Sequence, residues 1–341
     1  THGIVHPCEV FRSTRCCKDV ATVRKNEYVN LPVICLVGPT ASGKSGLAVR
    51  VCRRLYVDEH PAEIINTDSM VVYRGMDIGT ATPTLREQRT VVHHLVSILD
   101  VTVPSSLVLM QTLARDAVED CLSRGVIPVL VGGSALYTKA IIDEMSIPPT
   151  DPEVRARWQE KLDAEGPRVL HDELARRDPK AAESILPGNG RRIVRALEVI
   201  DLTGSFTATI PDGTLHWPKT VQMGLELSRK DIDQRIADRV DQMWAYGFVD
   251  EVRSLANVGL REGLTASRAL GYRQVLEYLN GDYDEDEARR RTIIGTRRFA
   301  RKQLMWYRRD DRIEWFNALA PDLDDRVVAR VLTALTTDEE D

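Results

Sequence analysis

Continuous apolar runs alternate with amphipathic runs between residues 31 and 145. Residues 33–37 and 126–131 are almost entirely apolar, and a shorter apolar run covers residues 63–66. Runs of this kind are typical of strands that are buried on both faces. The segments between them, such as residues 47–55 and 107–124, have the spacing of amphipathic helices. The pattern predicts an α/β fold, a P-loop-type parallel sheet flanked by helices.

A charged, helix-patterned segment interrupts this alternation. It begins after Pro148-Pro149 and contains stops at residues 166–167, 178–179 and 187–190, where proline and glycine occur together or beside polar residues. We therefore predict a helical insertion domain at residues 146–218 and a catalytic core made of residues 31–145 and 219–316. An alternating run at residues 221–227 adds one strand to the core sheet, and long helical patterns follow to about residue 310.

The two ends of the chain are predicted to lie outside this core. Residues 1–30 have no clear periodicity, and we expect a weakly ordered extension there. Residues 317–341 are expected to form a C-terminal helix and an acidic tail.

Composition excludes several classes of protein. No apolar stretch approaches the roughly 18 residues that span a bilayer, and the N-terminus has no apolar signal-peptide core. The six cysteines form no C-x-x-C pair, so reduced thiols and a cytoplasmic location without a membrane partner are expected. The net charge of −5 leaves only local patches for binding nucleic acid. Nothing in the sequence indicates an oligomer, and we expect a monomer.

A phosphate-binding motif directly follows the first apolar run. Residues 38–45 fit the pattern G-x-x-x-x-G-K-[ST] between a strand and a helix. In such a P-loop the backbone N–H groups and the helix N-terminus attract an anion, the lysine adds positive charge, and the last serine can reach Mg²⁺. The motif predicts a di- or triphosphate at this strand end. The residues expected to surround it are Gly38, Pro39, Thr40, Ala41, Ser42, Gly43, Lys44 and Ser45, with Ser45 as the Mg²⁺ ligand.

Two other strand ends are predicted to meet at the same pocket, because ligands bind beyond the carboxyl ends of parallel strands. Asp68 follows one of these strands and could take a proton or hold a metal, but a helix N-cap or an Asx-turn explains it equally well. The strand at residues 126–131 ends in Gly132-Gly133-Ser134, which suggests a tight turn or close approach by a ligand. The aspartate that commonly holds magnesium in ATPases is missing there, which weakens the interpretation as a plain NTP hydrolase.

Arginines are concentrated in two later segments. One group opens a helix at residues 191–195, and residues 289–312 hold ten basic residues but only two acidic ones. Arg290, Arg297, Arg301 and Arg308 fall on one helical face, with aromatic residues among them. This pattern favours a nucleic-acid surface, while a solvated helix face paired with acids is the structural alternative.

Arg235 and the pair His93-His94 have ordinary structural explanations. Arg235 could close over an anion or pair with Asp231 four residues earlier, and its position alone favours the ion pair. Adjacent histidines point apart on most backbones, so we expect a loop or core role for them rather than a shared metal.

Taken together, these segments resemble the tRNA dimethylallyltransferase (isopentenyltransferase) family. The matching stretches are GPTASGKS at 38–45, TDSMVVYRGMDIGTATP at 67–83, HHL at 93–95, LVGGSALY at 130–137, DPEVRAR at 151–157, GRRIVRALEV at 190–199, LGYRQ at 270–274 and RRFARKQLMWYR at 297–308. They occur in family order over about residues 31–316.

The resemblance implies transfer of a dimethylallyl group from its diphosphate to the exocyclic amine of an adenosine. That adenosine lies just 3′ of the anticodon in tRNAs that read codons beginning with U. The P-loop, Mg²⁺ and Arg235 would hold the donor diphosphate, Asp68 would be the general base, and Thr40 and Ser134 would lie near the reacting centre. The residues expected to meet the anticodon stem-loop, from the resemblance or from the arginine stripe, are Asp68, Ser69, Met70, Val71, Ser134, Arg155, Arg191, Arg192, Ile193, Val194, Arg195, Arg268, Ala269, Leu270, Gly271, Tyr272, Arg273, Arg297, Arg301, Lys302 and Gln303.

Three positions depart from the common family pattern. Val71 stands where many members have Gln, Thr82 where many have Lys, and Ala135 where many have Gly. Val71 puts one adenine contact in doubt, and Ala135 could narrow the donor pocket.

Three other functions stay open at this point. They are a prenyltransferase for free adenine nucleotides, a P-loop small-molecule kinase, and a nucleotide-gated RNA-binding module. The first would need neither an arginine stripe nor a helical insertion, and this chain has both.

Overall fold

A parallel β-sheet forms the centre of the computed structural model, which describes residues 31–206 and 213–336. The extension at residues 1–30 and the acidic tail lie outside the described residues. The sheet has six strands in the order β3-β2-β4-β1-β5-β6, and each hydrogen-bonded pair is parallel. The strands are β1 (Val33–Val37), β2 (Ala62–Asn66), β3 (His93–His94), β4 (Ile127–Gly132), β5 (Thr220–Glu226) and β6 (Ile313–Asn317). The predicted α/β fold class is confirmed.

Helices connect these strands and cover both faces of the sheet. Within the described ranges they are α1 (Lys44–Val57), α2 (Leu85–Thr90), α3 (Leu107–Ser123), α4 (Ala135–Ile142), α5 (Pro152–Glu165), α6 (Pro167–Arg177), α7 (Pro179–Ser184), α8 (Gly190–Thr203), α9 (Arg229–Ala245), α10 (Phe248–Ala256), α11 (Tyr272–Leu279), α12 (Glu285–Tyr307) and α13 (Leu323–Thr336). None of these helices is long and apolar enough to cross a membrane.

Two apolar cores lie on opposite faces of the sheet. Cys35 and Leu130 point into the core that α3, α10 and α11 also line, whereas Ile34, Leu36 and Val129 point into the core that α1 and α13 line. Because both faces are covered, β1 and β4 are apolar at nearly every position. This double burial is the reason that both strands could be predicted from the sequence.

The strand order places the candidate motifs at one sheet edge. Val37 at the end of β1 lies opposite Gly132 at the end of β4, and Asn66 at the end of β2 lies opposite Val131. The P-loop, the Gly-Gly turn and the segment that begins at Thr67 therefore leave neighbouring parallel strands side by side.

The segment between α4 and β5 is helical, as predicted. Helices α5 to α8 pack around their own small core, which includes Leu170, Leu174 and Leu197. The side chains of Asp151, Asp178 and Asn189 cap α5, α7 and α8 by accepting backbone N–H groups. The bounds of an insertion domain at residues 146–218 stay a prediction.

Two strands were not predicted. β3 has only two residues, and β6 is an edge strand in which buried and exposed positions alternate imperfectly. Each presents few apolar positions to a core, so neither produces a distinct sequence pattern. β6 nevertheless extends the sheet beyond β5.

Candidate active site

The P-loop depends on glycine at two positions. Gly38 and Gly43 have φ angles of 141° and 95°, in the region that side-chain-bearing residues avoid. A Cβ atom at Gly38 would also lie 2.7 Å from the carbonyl oxygen of Leu225 on β5. Gly43 is the N-cap of α1, and the helix begins at Lys44. The loop therefore directs the N-terminus of α1 at the space beyond β1.

Lys44 is a buried cation inside this loop. Its Nζ donates a hydrogen bond to the carbonyl oxygen of Pro39 at 2.8 Å. Burial lowers the pKa of Lys44 to about 8, although the negative charge of Asp68 opposes the shift. An anion bound in the loop would stabilise the protonated form of Lys44.

Asp68 is held by a set of turn hydrogen bonds at the end of β2. The Asn66 side chain accepts the N–H of Asp68 and donates to its carbonyl oxygen, each at 2.9 Å. Asp68 Oδ1 accepts the N–H of Met70, also at 2.9 Å. The Asx-turn is thus present, yet the other carboxylate oxygen, Oδ2, accepts no hydrogen bond within residues 31–206 and 213–336. The turn and the chemical interpretation are compatible, because they use different oxygens.

The Gly-Gly turn after β4 packs against the protein itself. A Cβ at Gly132 would lie 2.0 Å from Thr67 Oγ1, and one at Gly133 would lie 2.5 Å from Gln303 Nε2. The two glycines therefore allow a close approach of protein side chains, whereas the sequence suggested a tight turn or a ligand. Within the described residues, the buried hydroxyls of Thr67 and Ser42 have no hydrogen-bond partner. Both hydroxyls belong to loops at the carboxyl ends of the strands, and their hydrogen-bonding capacity is unused.

Gln303 connects the long helix α12 to the P-loop. Its Oε1 accepts the backbone N–H of Thr40 at 2.8 Å, and its side chain is buried. The side chain lies inside the fold, where it fixes the loop, and contact of Gln303 with tRNA stays a prediction.

Helix α9 brings two arginines to the P-loop. Arg235 Nη1 lies 3.5 Å from the carbonyl oxygen of Ser42, which is a long contact. The carboxylate of Asp231 instead accepts Ser228 Oγ at 2.6 Å, so the ion pair favoured by position alone is not formed. Sequence reasoning missed Arg239, whose Nη1 lies 3.3 Å from Thr40 Oγ1. The spacing of four residues from Arg235 was the signal that could have identified it.

The P-loop has a residue suited to a magnesium ion that would also be bound by a phosphate of the ligand. Ser45 is exposed in the first turn of α1, and its hydroxyl makes no hydrogen bond within the described ranges. A serine hydroxyl and phosphate oxygens are the hard oxygen ligands that Mg²⁺ prefers. Ser45 is therefore the residue that would hold the ion.

A second group of residues could by its composition bind a metal ion, but its carboxylate is already paired with an arginine. Glu63, His94 and Cys121 lie within 4.8 Å of one another. Arg124 donates two hydrogen bonds to the Glu63 carboxylate, at 2.9 and 2.6 Å, and His94 Nε2 lies 2.7 Å from it. Burial alone would raise the pKa of Glu63, but the His94 and Arg124 hydrogen bonds lower it to about 2. The expected structural role of His94 agrees with this arrangement.

The residues predicted to contact tRNA differ in exposure. Arg191 and Arg192 are exposed and line a shallow cavity of about 430 Å³ together with Asn189 and Arg195. Arg268, Arg273, Arg301 and Lys302 are also exposed. Arg297 is half-buried and donates to the carbonyl oxygen of Asp233. The residues of this set that are buried are Val71, Ile193, Val194, Ala269, Gly271, Tyr272 and Gln303.

Several of these buried side chains have partners inside the fold. Ile193 and Val194 belong to the core of α5 to α8. Tyr272 donates a hydrogen bond to Glu251 at 2.6 Å, and this carboxylate also accepts the N–H groups of Asp77, Ile78 and Gly79. The side chains of Ile193, Val194 and Tyr272 are thus inside the fold, and the assignment of these residues to the tRNA-binding segments stays a prediction.

Comparison with known proteins gives a consistent set of relatives. Residues 71–310 match the family model described as IPP transferase. The chain is 54% identical over 300 residues to the tRNA dimethylallyltransferase of Thermobifida fusca (strain YX), covering 88% of this chain and 94% of the relative. It is 55% identical over 292 residues to the protein of the same name from Kineococcus radiotolerans, covering 85% of this chain and 92% of the relative.

Solved structures show the same similarity. The tRNA isopentenylpyrophosphate transferase of Bacillus halodurans aligns with a TM-score of 0.65 and 36% identity, covering 89% of this chain and 96% of that one. A eukaryotic dimethylallyltransferase acting on tRNA aligns with a TM-score of 0.75 over 91% of this chain and 81% of that one. At 23% identity, the second match shows a common fold.

Proposed function

The chain belongs to the IPP transferase family, and on that premise we propose that it transfers a dimethylallyl group from dimethylallyl diphosphate to tRNA. The observation that carries the proposal is the position of Asp68 in relation to the P-loop. An anion-binding loop with a buried cation and a carboxylate with one free oxygen meet at the same sheet edge. A transfer that releases a diphosphate and removes a proton needs both.

The proposed acceptor is the exocyclic amine of the adenosine 3′-adjacent to the anticodon, in tRNAs that read codons beginning with U. The anticodon stem-loop would contact the exposed arginines of α8 and α12. Because the target base is stacked in the loop, it must turn out into the site, at a cost of a few kcal/mol. The products would be isopentenyladenosine and diphosphate.

The proposed chemistry balances within this site. The amine nitrogen forms a bond to the allylic carbon, the carbon–oxygen bond to the diphosphate breaks, and the amine proton moves to the free oxygen of Asp68. An exocyclic aromatic amine is a weak nucleophile, so removal of its proton as the bond forms lowers the barrier. Thr40 and Ser134 lie on the loops that flank this space.

The leaving diphosphate would be held by the P-loop N–H groups, Lys44 and Arg235. These groups stabilise the negative charge that grows on the leaving oxygens. Mg²⁺, held by Ser45, would add positive charge at the same oxygens. The N–H of Thr40 is already bound to Gln303 and is not among the free donors of the loop.

We also propose that the chain works as a cytoplasmic monomer. For the location, support comes from Cys35, Cys52 and Cys121, which are buried free thiols, as expected of a reducing compartment.

A labelling assay tests the function. The chain is incubated with labelled dimethylallyl diphosphate and one of three acceptors: a tRNA that reads U-initial codons, the same tRNA with guanosine at the target position, or free AMP. We expect label in the first tRNA only. Label in AMP but not in tRNA would support a cytokinin-type enzyme instead, and phosphate transfer from ATP would support a kinase.

A further inference from the structure

Arg239 is a cation without an acidic partner at the P-loop. It lies on α9 one turn after Arg235, and its guanidinium is directed at Thr40 Oγ1, 3.3 Å away. Within residues 31–206 and 213–336 this is its one hydrogen bond, and no carboxylate lies within ion-pair distance. Arg229, in the first turn of the same helix, differs from Arg239 because it lies 3.9 Å from the carboxylate of Asp233.

The environment of Arg239 is unfavourable for a lone charge. Burial lowers the pKa of Arg239, and the negative charge of Asp68 only partly opposes this effect. A guanidinium has five donors, and one long contact to a hydroxyl leaves most of them unsatisfied. A partly buried charge with unused donors is normally compensated by an anion.

We propose that Arg239 is a second arginine of the diphosphate site and binds the phosphate that carries the prenyl carbon. The inference rests on the proposed function for the identity of the anion. Arg239 is assigned to this phosphate because it contacts Thr40 Oγ1, and Thr40 is the loop residue that the proposed function places beside the reacting carbon. Arg235 contacts a different loop residue, through the carbonyl oxygen of Ser42, and is assigned to the distal phosphate.

This assignment gives the two arginines different effects on the kinetics. The charge that develops as the carbon–oxygen bond breaks appears first on the phosphate next to the carbon. A donor on that phosphate stabilises the transition state more than the bound substrate, so its loss lowers kcat. A donor on the distal phosphate acts about equally in both states, so its loss raises KM.

The test compares Arg239→Gln with Arg235→Gln, and uses Arg229→Gln as the matched control on α9. We expect Arg239→Gln to lower the single-turnover rate of transfer by about 100-fold and to weaken pyrophosphate binding by about tenfold. Arg235→Gln should mainly raise the KM for the donor, and Arg229→Gln should change neither quantity by more than about twofold. Arg239→Lys, which keeps the charge but loses the planar fork, should fall between Arg239→Gln and the unaltered chain.

A transfer rate within about twofold of the unaltered chain in Arg239→Gln would overturn the inference. If that variant does not fold, a crystal structure of the unaltered chain with pyrophosphate decides: a guanidinium of Arg239 that stays on Thr40 alone rules the inference out. The pyrophosphate measurements need no tRNA. Binding that depends on Arg239 without transfer to tRNA would therefore reject the proposed function and retain the phosphate site.

Discussion

Asp68 illustrates how one side chain can serve local structure and chemistry at once. Oδ1 closes a turn by accepting the Met70 N–H, and Asn66 fixes the backbone on both sides of Asp68. The remaining oxygen faces no donor within the described residues. Rigid positioning by a turn leaves the reactive oxygen in a defined place, which is what a general base requires.

Replacing Asp68 by Asn separates these two roles. The Asn oxygen can still accept the Met70 N–H, but the side chain can no longer take a proton. We expect the single-turnover rate to fall by two or more orders of magnitude, while tRNA affinity changes little. A rate loss of less than about tenfold would identify Asp68 as a structural residue only.

Lys44 predicts a pH dependence of anion binding. Its pKa is lowered from 10.5 to about 8 in the free protein, so Lys44 loses its charge as the pH rises through about 8. A bound diphosphate favours the charged form, and binding near pH 8 should therefore take up protons. Calorimetry with pyrophosphate in buffers of different ionisation enthalpy measures this uptake.

Pyrophosphate affinity should accordingly weaken as the pH rises above about 8. Lys44→Gln removes the titrating group and should bind weakly at every pH, without this dependence. A dissociation constant that is the same on both sides of that pH in the unaltered chain would contradict the prediction.

At the scale of elements, a buried carboxylate joins α8 to the segment that enters the insertion. Glu198 is fully buried and accepts Thr150 Oγ1 at 2.6 Å and the Asp151 N–H at 3.0 Å. It also pairs with Arg155 and Arg195, and Arg195 donates to two carbonyl oxygens of the preceding prolines. Two arginines predicted to contact tRNA thus already have a structural partner.

Glu198→Gln should destabilise this junction. The substitution leaves Arg195 without its charged partner, while Arg155 is half-exposed and loses less. We expect the free energy of unfolding to fall by about 1–3 kcal/mol in urea denaturation. Glu160→Gln, at an exposed position on α5, should change it by less than about 0.5 kcal/mol.

The same variant tests whether the junction is independent of the donor site. Pyrophosphate affinity should be retained in folded Glu198→Gln, because none of its partners belongs to the P-loop. An unchanged unfolding free energy would show that the buried network contributes little to stability.

At the scale of the whole molecule, an acidic chain must bind a polyanion through local patches. Two arginines of the α12 stripe form ion pairs with acidic residues, as expected for a solvated helix face: Arg290 pairs with Glu287, and Arg308 with Glu226. Arg301 and Lys302 are exposed and have no acidic partner within the described residues. These two, rather than the entire stripe, are the expected phosphate contacts.

Arg301→Ala combined with Lys302→Ala should weaken tRNA binding and reduce its dependence on salt. Each lost phosphate contact lowers the slope of log affinity against log salt by about one. Arg290→Ala is the matched control, because its charge is already paired with Glu287. An unchanged slope in the double variant would show that this helix face is solvated and does not contact tRNA phosphates.

Prediction from sequence succeeded where the pattern was local and strong. The bounds of β1 were predicted to the residue, and β2, β4 and β5 to within one. Prediction failed for β3 and β6, because these strands bury too few side chains to produce a recognisable periodicity of apolar residues. The sequence also did not show that the side chains of Tyr272 and Gln303 are buried, because sequence position does not say whether a polar side chain in a helix faces outward.

The sequence by itself determined the P-loop and the sheet that carries it. Gly38, Gly43 and the apolar run before them require a particular local backbone, and neighbours in the chain are sufficient to specify it. Tertiary structure alone decided which side chains complete the site. Gln303 reaches the Thr40 N–H from 263 residues away, and Arg239 reaches its hydroxyl from 199 residues away. Such contacts depend on how helices α9 and α12 pack against the rest of the fold. The spacing of Arg235 and Arg239 places them on one face of α9, but it does not say what that face contacts.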